Sequence, residues 1–191
     1  EANVPRKQIG DYMGSEAAQR NWVVKAWVEC VKNDIRLLNI HRLSELENIN
    51  EADDAFQVMG LFQKLEDTPP YTQVVNGQAV ALKTASSLLY ATDYDPDQTE
   101  ALNLPEGTNG AAFQDVEGKY IYVLWAVTET DLDEGANAIY SFPNELNIGN
   151  LHKRTWLYTF TNEVEEIFSE NIELTGEPIF LTETEDFLEV P

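Results

Sequence analysis

Basic side chains, cysteine and long apolar runs are all scarce in this 191-residue chain. Only 12 Lys and Arg stand against 34 Asp and Glu, a formal net charge of −22. A nucleic-acid binder needs a basic face to neutralise phosphates, so that class is excluded. The one cysteine, Cys30, sits in the apolar run Trp27-Val28-Glu29-Cys30-Val31 and has no partner for an internal disulfide; it reads as a small core residue. The two histidines, His41 and His152, are both remote from it in sequence, which argues against a thiolate nucleophile. There is no apolar stretch of 18 residues, so no membrane span is expected. The chain opens Glu1-Ala2-Asn3-Val4-Pro5, with neither a basic n-region nor an apolar h-region, as a mature or cut chain would.

The length allows one domain or two modest ones, but not a complete (β/α)8 barrel with a second unit, since such a barrel alone takes roughly 200 residues or more. The charge is unevenly spread. Residues 1–91 hold 9 basic and 12 acidic side chains, whereas 92–191 hold 3 and 22. Two compositions predict two structural units with a boundary near residue 91. The acidic half reads as a solvated surface suited to a salty medium, or as a cation-binding surface.

Ser15 is an N-cap candidate with Glu16 in the first turn, and a helix is predicted from there to about Lys32. Its apolar residues span more than one stripe, as in a helix buried against several neighbours. After the stop Asn33-Asp34, residues 35–41 read as a strand. Helix, tight turn and strand form half of a βαβ unit, which implies a parallel sheet. The polar, acidic stretch 42–55 follows the C-terminal end of that strand, where α/β folds grow binding loops. Pro69-Pro70 is expected to open a second helix reaching about Tyr90, with Gly77 an unfavourable interior residue. Beyond Thr92 the period changes. Seven short strands are predicted: 101–104, 110–116, 120–127, 138–142, 151–160, 167–174 and 178–182, an antiparallel sandwich with Tyr120–Ala126 at its centre and Trp125 in the core.

Most chemical motifs fail on spacing. Asp93-Tyr94-Asp95-Pro96-Asp97 alternates like a calcium loop, but Gln98 and Leu104 stand where glycine and a bidentate glutamate belong, so an interdomain linker is expected. The acidic runs 129–134 and 163–166 lack ligand spacing. Phosphate loop, zinc pattern and nucleophile elbow are all missing, and no cofactor or metal is expected.

Gly14-Ser15-Glu16-Ala17-Ala18-Gln19-Arg20-Asn21-Trp22, the strand ending at His41, Phe56-Gln57-Val58-Met59-Gly60-Leu61-Phe62, the run 81–89 and Tyr120–Ala126 together resemble the C-terminal third of retaining glycoside hydrolases of the large (β/α)8 clan, the xylosidase and iduronidase-like group. The resemblance implies an α/β remnant of a (β/α)8 barrel over 1–91, followed by an all-β antiparallel sandwich over 92–191. It implies a carbohydrate substrate, a secreted or periplasmic setting, and a second polypeptide that completes the barrel. Such enzymes use two carboxyl groups roughly 5–5.5 Å apart. By position, Glu1 is the nucleophile candidate, and the acid/base lies outside this chain. Asn3, Tyr12, His41 and Arg42 are the candidates for substrate binding. The competing class is a non-catalytic carbohydrate-binding or structural β-sandwich subunit, which would bind sugar through aromatics such as Tyr140, Trp156 or Tyr158.

Overall fold

A computed structural model describes residues 3–128 and 135–184. The first helix, α1 (Glu16–Lys32), forms where expected. Ser15 Oγ accepts from Ala18 N at 3.0 Å and so satisfies one of the free donors of the first turn. The next regular elements are a 3-10 turn at Ala55–Val58 and helix α2 (Gly77–Leu88). Thus α2 does not begin at Pro69-Pro70. Tyr71 takes a left-handed backbone (φ 56), which a continuing helix cannot accommodate, and the helix starts only after Asn76. Gly77 is therefore its first residue and not an interior one.

Residues 35–39 do not form a regular strand among the described residues. A strand needs a neighbour to satisfy its edges, and here the apolar side chains that should face one stand in solvent: Leu37 is 80% exposed. One parallel bridge joins Ser44 and Phe62.

The second half is built on an antiparallel sheet. Its strands are β1 (Thr92–Asp95), β2 (Thr108–Asp115), β3 (Tyr120–Ala126), β5 (Leu151–Arg154), β6 (Glu165–Ile167) and β8 (Ile179–Glu183), in the order β1-β2-β3-β8-β5-β6. The remaining strands, β4 (Asn137–Tyr140) and β7 (Ile172–Thr175), pair as a separate ribbon. The expectation of antiparallel strands therefore holds, with a six-stranded sheet and a separate two-stranded ribbon in place of the predicted seven strands. The predicted strand 167–174 divides at Asn171 (φ 56) into β6 and β7, which lie in different sheets. The expected linker at 93–97 is instead strand β1 running into helix α3 (Pro96–Ala101), with Asp95 Oδ1 accepting from Gln98 N at 2.9 Å. The predicted strand at 101–104 is the end of α3 and its exit. A short helix, α4 (Tyr158–Thr161), replaces the second half of the predicted strand 151–160.

Strand β3 explains the architecture. Its side chains alternate between two separate cores. Tyr122, Leu124 and Ala126 point towards the β4–β7 ribbon, packing with Tyr140, Ile172, Leu174 and Leu181. Ile121, Val123 and Trp125 point the other way, towards Val24 and Val28 of α1 and Ala81 and Ala85 of α2, together with Phe180. A strand covered on both faces reads as an unbroken apolar run, as this one does. Burial pushes the Tyr122 phenol up to about 12, although Gln98 Nε2 donates to its oxygen at 3.2 Å.

Candidate functional site

The segment between residue 3 and α1 is tied down by close backbone approaches. A Cβ at Gly14 would lie 2.1 Å from Pro5 O, so only glycine fits there. Arg6 N donates to Val58 O at 3.0 Å, and Ile9 and Tyr12 exchange both backbone hydrogen bonds across a tight turn. The Asn3 amide braces three segments: Nδ2 donates to His41 O at 2.8 Å and to Met59 O, and Oδ1 accepts from Gln78 Nε2 and from Val4 N. Opposite it, Asp54 and Gln57 form a capping box around the 3-10 turn, with Asp54 Oδ1 accepting from Phe56 N at 2.8 Å.

These constraints enclose an open cleft of about 310 Å³ whose lining includes Asn3, Tyr12, Met13, His41, Phe56 and Met59. The Phe56 ring stands edge-on to Tyr12 (centroids 5.7 Å apart) and to His41 (5.6 Å). Tyr12, Met13 and Phe56 are all exposed. Among the described residues lining the cleft there is no carboxylate and no Lys or Arg. It offers apolar faces and an imidazole, which suits binding of an uncharged, partly apolar molecule.

Arg6, next in sequence to the cleft-lining Pro5, belongs to a buried ionic cluster. Arg6 Nε and Nη2 donate to Glu45 Oε1 and Oε2, both at 2.8 Å, and Arg6 Nη1 reaches the exposed Glu16 at 2.8 Å. Asn76 Nδ2 donates to Glu45 Oε1 at 3.0 Å and to Gly60 O at 2.8 Å. Because the Asn76 side chain is engaged there, it makes no cap bond to α2. Burial works against the Arg6 charge, but Glu45 and Glu16 together hold its pKa above the ordinary value.

Of the sequence-derived site residues, Asn3, Tyr12 and His41 come together in this cleft. Arg42 does not line it; its backbone is left-handed (φ 71), and its Nη1 is buried with no hydrogen-bond partner among the described residues. Glu1 lies outside the described residues. Phe56, Met13 and the Arg6–Glu45 pair escaped the sequence reading. The pattern Asp54-x-x-Gln57 is a capping signature that would have fixed the turn presenting Phe56. The alternative sugar platforms do not form an open surface. Tyr140 is buried and donates to Leu102 O at 2.8 Å, Arg20 covers the Trp156 ring at 4.5 Å, and Arg154 lies over Tyr158 at 5.1 Å.

A larger apolar groove of about 530 Å³ runs between α1 and residues 35–40, lined by Trp27, Val31, Ile35, Leu37, Ile40 and Leu82 among others. No cluster of His, Cys, Asp and Glu suited to a metal ion occurs among the described residues, and no described helix is long and apolar enough to cross a membrane.

No family model matches this chain, and no curated protein matches it in sequence. In three dimensions it is similar to a family 39 glycoside hydrolase from the gut symbiont Bacteroides cellulosilyticus, with a TM-score of 0.55 and 15% sequence identity. The likeness covers 87% of this chain but only 30% of that one, so the fold described here corresponds to under a third of that hydrolase.

Proposed function

We propose that this chain is the C-terminal portion of a retaining glycoside hydrolase acting on oligo- or polysaccharide, in a secreted or periplasmic setting. The observation that carries the reading is the structural likeness to a family 39 glycoside hydrolase over most of this chain. The convergence of Tyr12 and His41 on one cleft supports it. Residues 1–91 represent the last βα units of a (β/α)8 barrel, and 92–191 the accompanying sheet domain. A second polypeptide supplies the other strands and covers the apolar groove beside residues 35–40. In that assembly Glu1 attacks the anomeric carbon while an acid on the second polypeptide protonates the departing oxygen; water then cleaves the glycosyl ester and restores both groups. The chain by itself hydrolyses nothing.

Hydrolysis of aryl glycosides by the assembled complex tests this. Glu1→Gln is expected to abolish turnover while leaving assembly intact; unchanged turnover would remove Glu1 from the reaction. One observation favours a second reading, a non-catalytic carbohydrate-binding subunit: the described lining of the cleft contains no carboxylate. Sugar binding without turnover in any assembly, whether or not Glu1 is replaced, would establish that alternative. Both readings put the sugar in the same cleft.

A further inference from the structure

Strand β6 closes one end of the six-stranded sheet, and no strand among the described residues pairs with its outer side. The register fixes which backbone groups are left open there. Thr184 N donates to Asn150 O at 3.0 Å. By the alternation of an antiparallel ladder, His152 then turns its N–H and C=O towards β8, and Leu151 and Lys153 turn theirs towards β6. Their partners Ile167 and Glu165 complete that ladder, so the N–H and C=O of Glu166 point away from the sheet. An open edge of this kind is a template for a further strand.

A groove of about 340 Å³ runs beside this edge, and its lining includes Glu165, Glu166, Phe168, Glu170 and Glu173. The described lining holds one basic residue, Lys153, whose Nζ already donates to Glu165 at 2.8 Å. Glu166 itself has His152 Nε2 at 3.8 Å. Phe168, just past the strand, is 73% exposed.

We propose that the β6 edge takes an extended basic segment of another protein as an added strand. Main-chain hydrogen bonds to Glu166 hold the segment, its Lys or Arg side chains meet the groove glutamates, and an apolar side chain between them rests on Phe168. Charge selects this occupant. A second copy of this chain, with its net charge of −22, is repelled by the same glutamates. A basic strand gains from them at each alternate position.

Fluorescence anisotropy of the full chain with three labelled hexapeptides tests the proposal. One alternates Lys and Val, one is the same peptide with every backbone nitrogen methylated, and one alternates Glu and Val. Wild type is expected to bind the first, to bind the methylated form at least about tenfold more weakly, and to ignore the third. Glu166→Pro removes the outward N–H and the charge but no bond to β5, so it should fold and bind about tenfold more weakly. Equal affinity for the methylated peptide would reduce the binding to general charge attraction and overturn the proposal. Wild-type affinity in Glu166→Pro would overturn it too. Should Glu166→Pro melt early, hydrogen exchange at the Glu166 amide of wild type decides: slowing by the first peptide supports strand addition, and an unchanged rate overturns it. Association of the chain with itself that Glu166→Pro abolishes would make a second copy the occupant and overturn the basic partner.

Discussion

Glu45 is a carboxylate almost without access to water, at 3% exposure, and its charge is tolerable only because Arg6 meets it through two parallel hydrogen bonds and Asn76 supplies a third. Such a pair contributes little relative to an apolar replacement, but breaking one half leaves a buried charge unmatched. Glu45→Gln is therefore expected to lower unfolding stability by about 3 kcal/mol in urea titrations. Arg6→Met with Glu45→Leu should recover most of that loss, since no charge is then buried. A change below about 0.5 kcal/mol in the single variant would show that water reaches the pair. The Glu16 arm of the cluster is solvent-exposed, and Glu16→Ala should be nearly silent. Gly60 locks the same region: a Cβ there would lie 2.3 Å from Glu45 N, against backbone that cannot move aside. Gly60→Ala should cost about 2 kcal/mol by the same measurement. None of this cluster was legible in the sequence. Arg6 and Glu45 are 39 residues apart, and each looks like an ordinary surface charge. By contrast Tyr12 and His41 were named only through the resemblance, which implies substrate-binding groups at the rim of the barrel, and both line the cleft.

The elements best read from sequence were those whose local signals agree. The Ser15 cap and the broad apolar face of α1 both point to one helix, and it forms. Helix α3 was missed because Asp95-Pro96 was taken for a linker, although an N-cap aspartate followed by proline is the usual opening of a helix. Backbone donation from Gln98 lowers the Asp95 pKa, and the Tyr120 hydroxyl adds to the effect from 2.9 Å. The sign follows directly. A carboxylate whose folded pKa is depressed adds stability above its unfolded value, near 3.8, and that stability disappears as pH falls through the lower folded value. Asp95→Ala should destabilise by about 1 kcal/mol at neutral pH. The gap between variant and wild type should narrow on acidification below about pH 4, which thermal melts across that range would follow. A gap independent of pH would remove the charge from the explanation. At the start of α2, Gly77 occupies the first turn, where the nearest atom to an added Cβ is the flexible Arg20 Cδ at 3.5 Å. Gly77→Ala is thus expected to stabilise by about 0.5 kcal/mol, opposite in sign to Gly60→Ala.

At the scale of the whole molecule, the sheet is covered by helices on one side and by the β4–β7 ribbon on the other, and the sequence foretold the strands better than their division between sheets. Strand periodicity reports which residues face a core, but not which of two cores, and that ambiguity is greatest for a strand buried on both faces. The alternation at 35–41 misled for a related reason: it marks a segment suited to a sheet, while the neighbouring strand that would complete one is not among the described residues. Ile35, Leu37, Leu43 and Leu46 are exposed, and the first two line the apolar groove beside α1. A surface of this kind associates with another apolar surface when one is offered. Ile35→Lys with Leu37→Lys should therefore suppress concentration-dependent association of the isolated chain in sedimentation velocity, and should weaken assembly with a barrel-completing polypeptide. Because both side chains are already in solvent, the melting temperature should not change. A wild-type chain that stays monomeric at high concentration, or a double variant that melts early, would mean that these residues serve the fold of this chain alone.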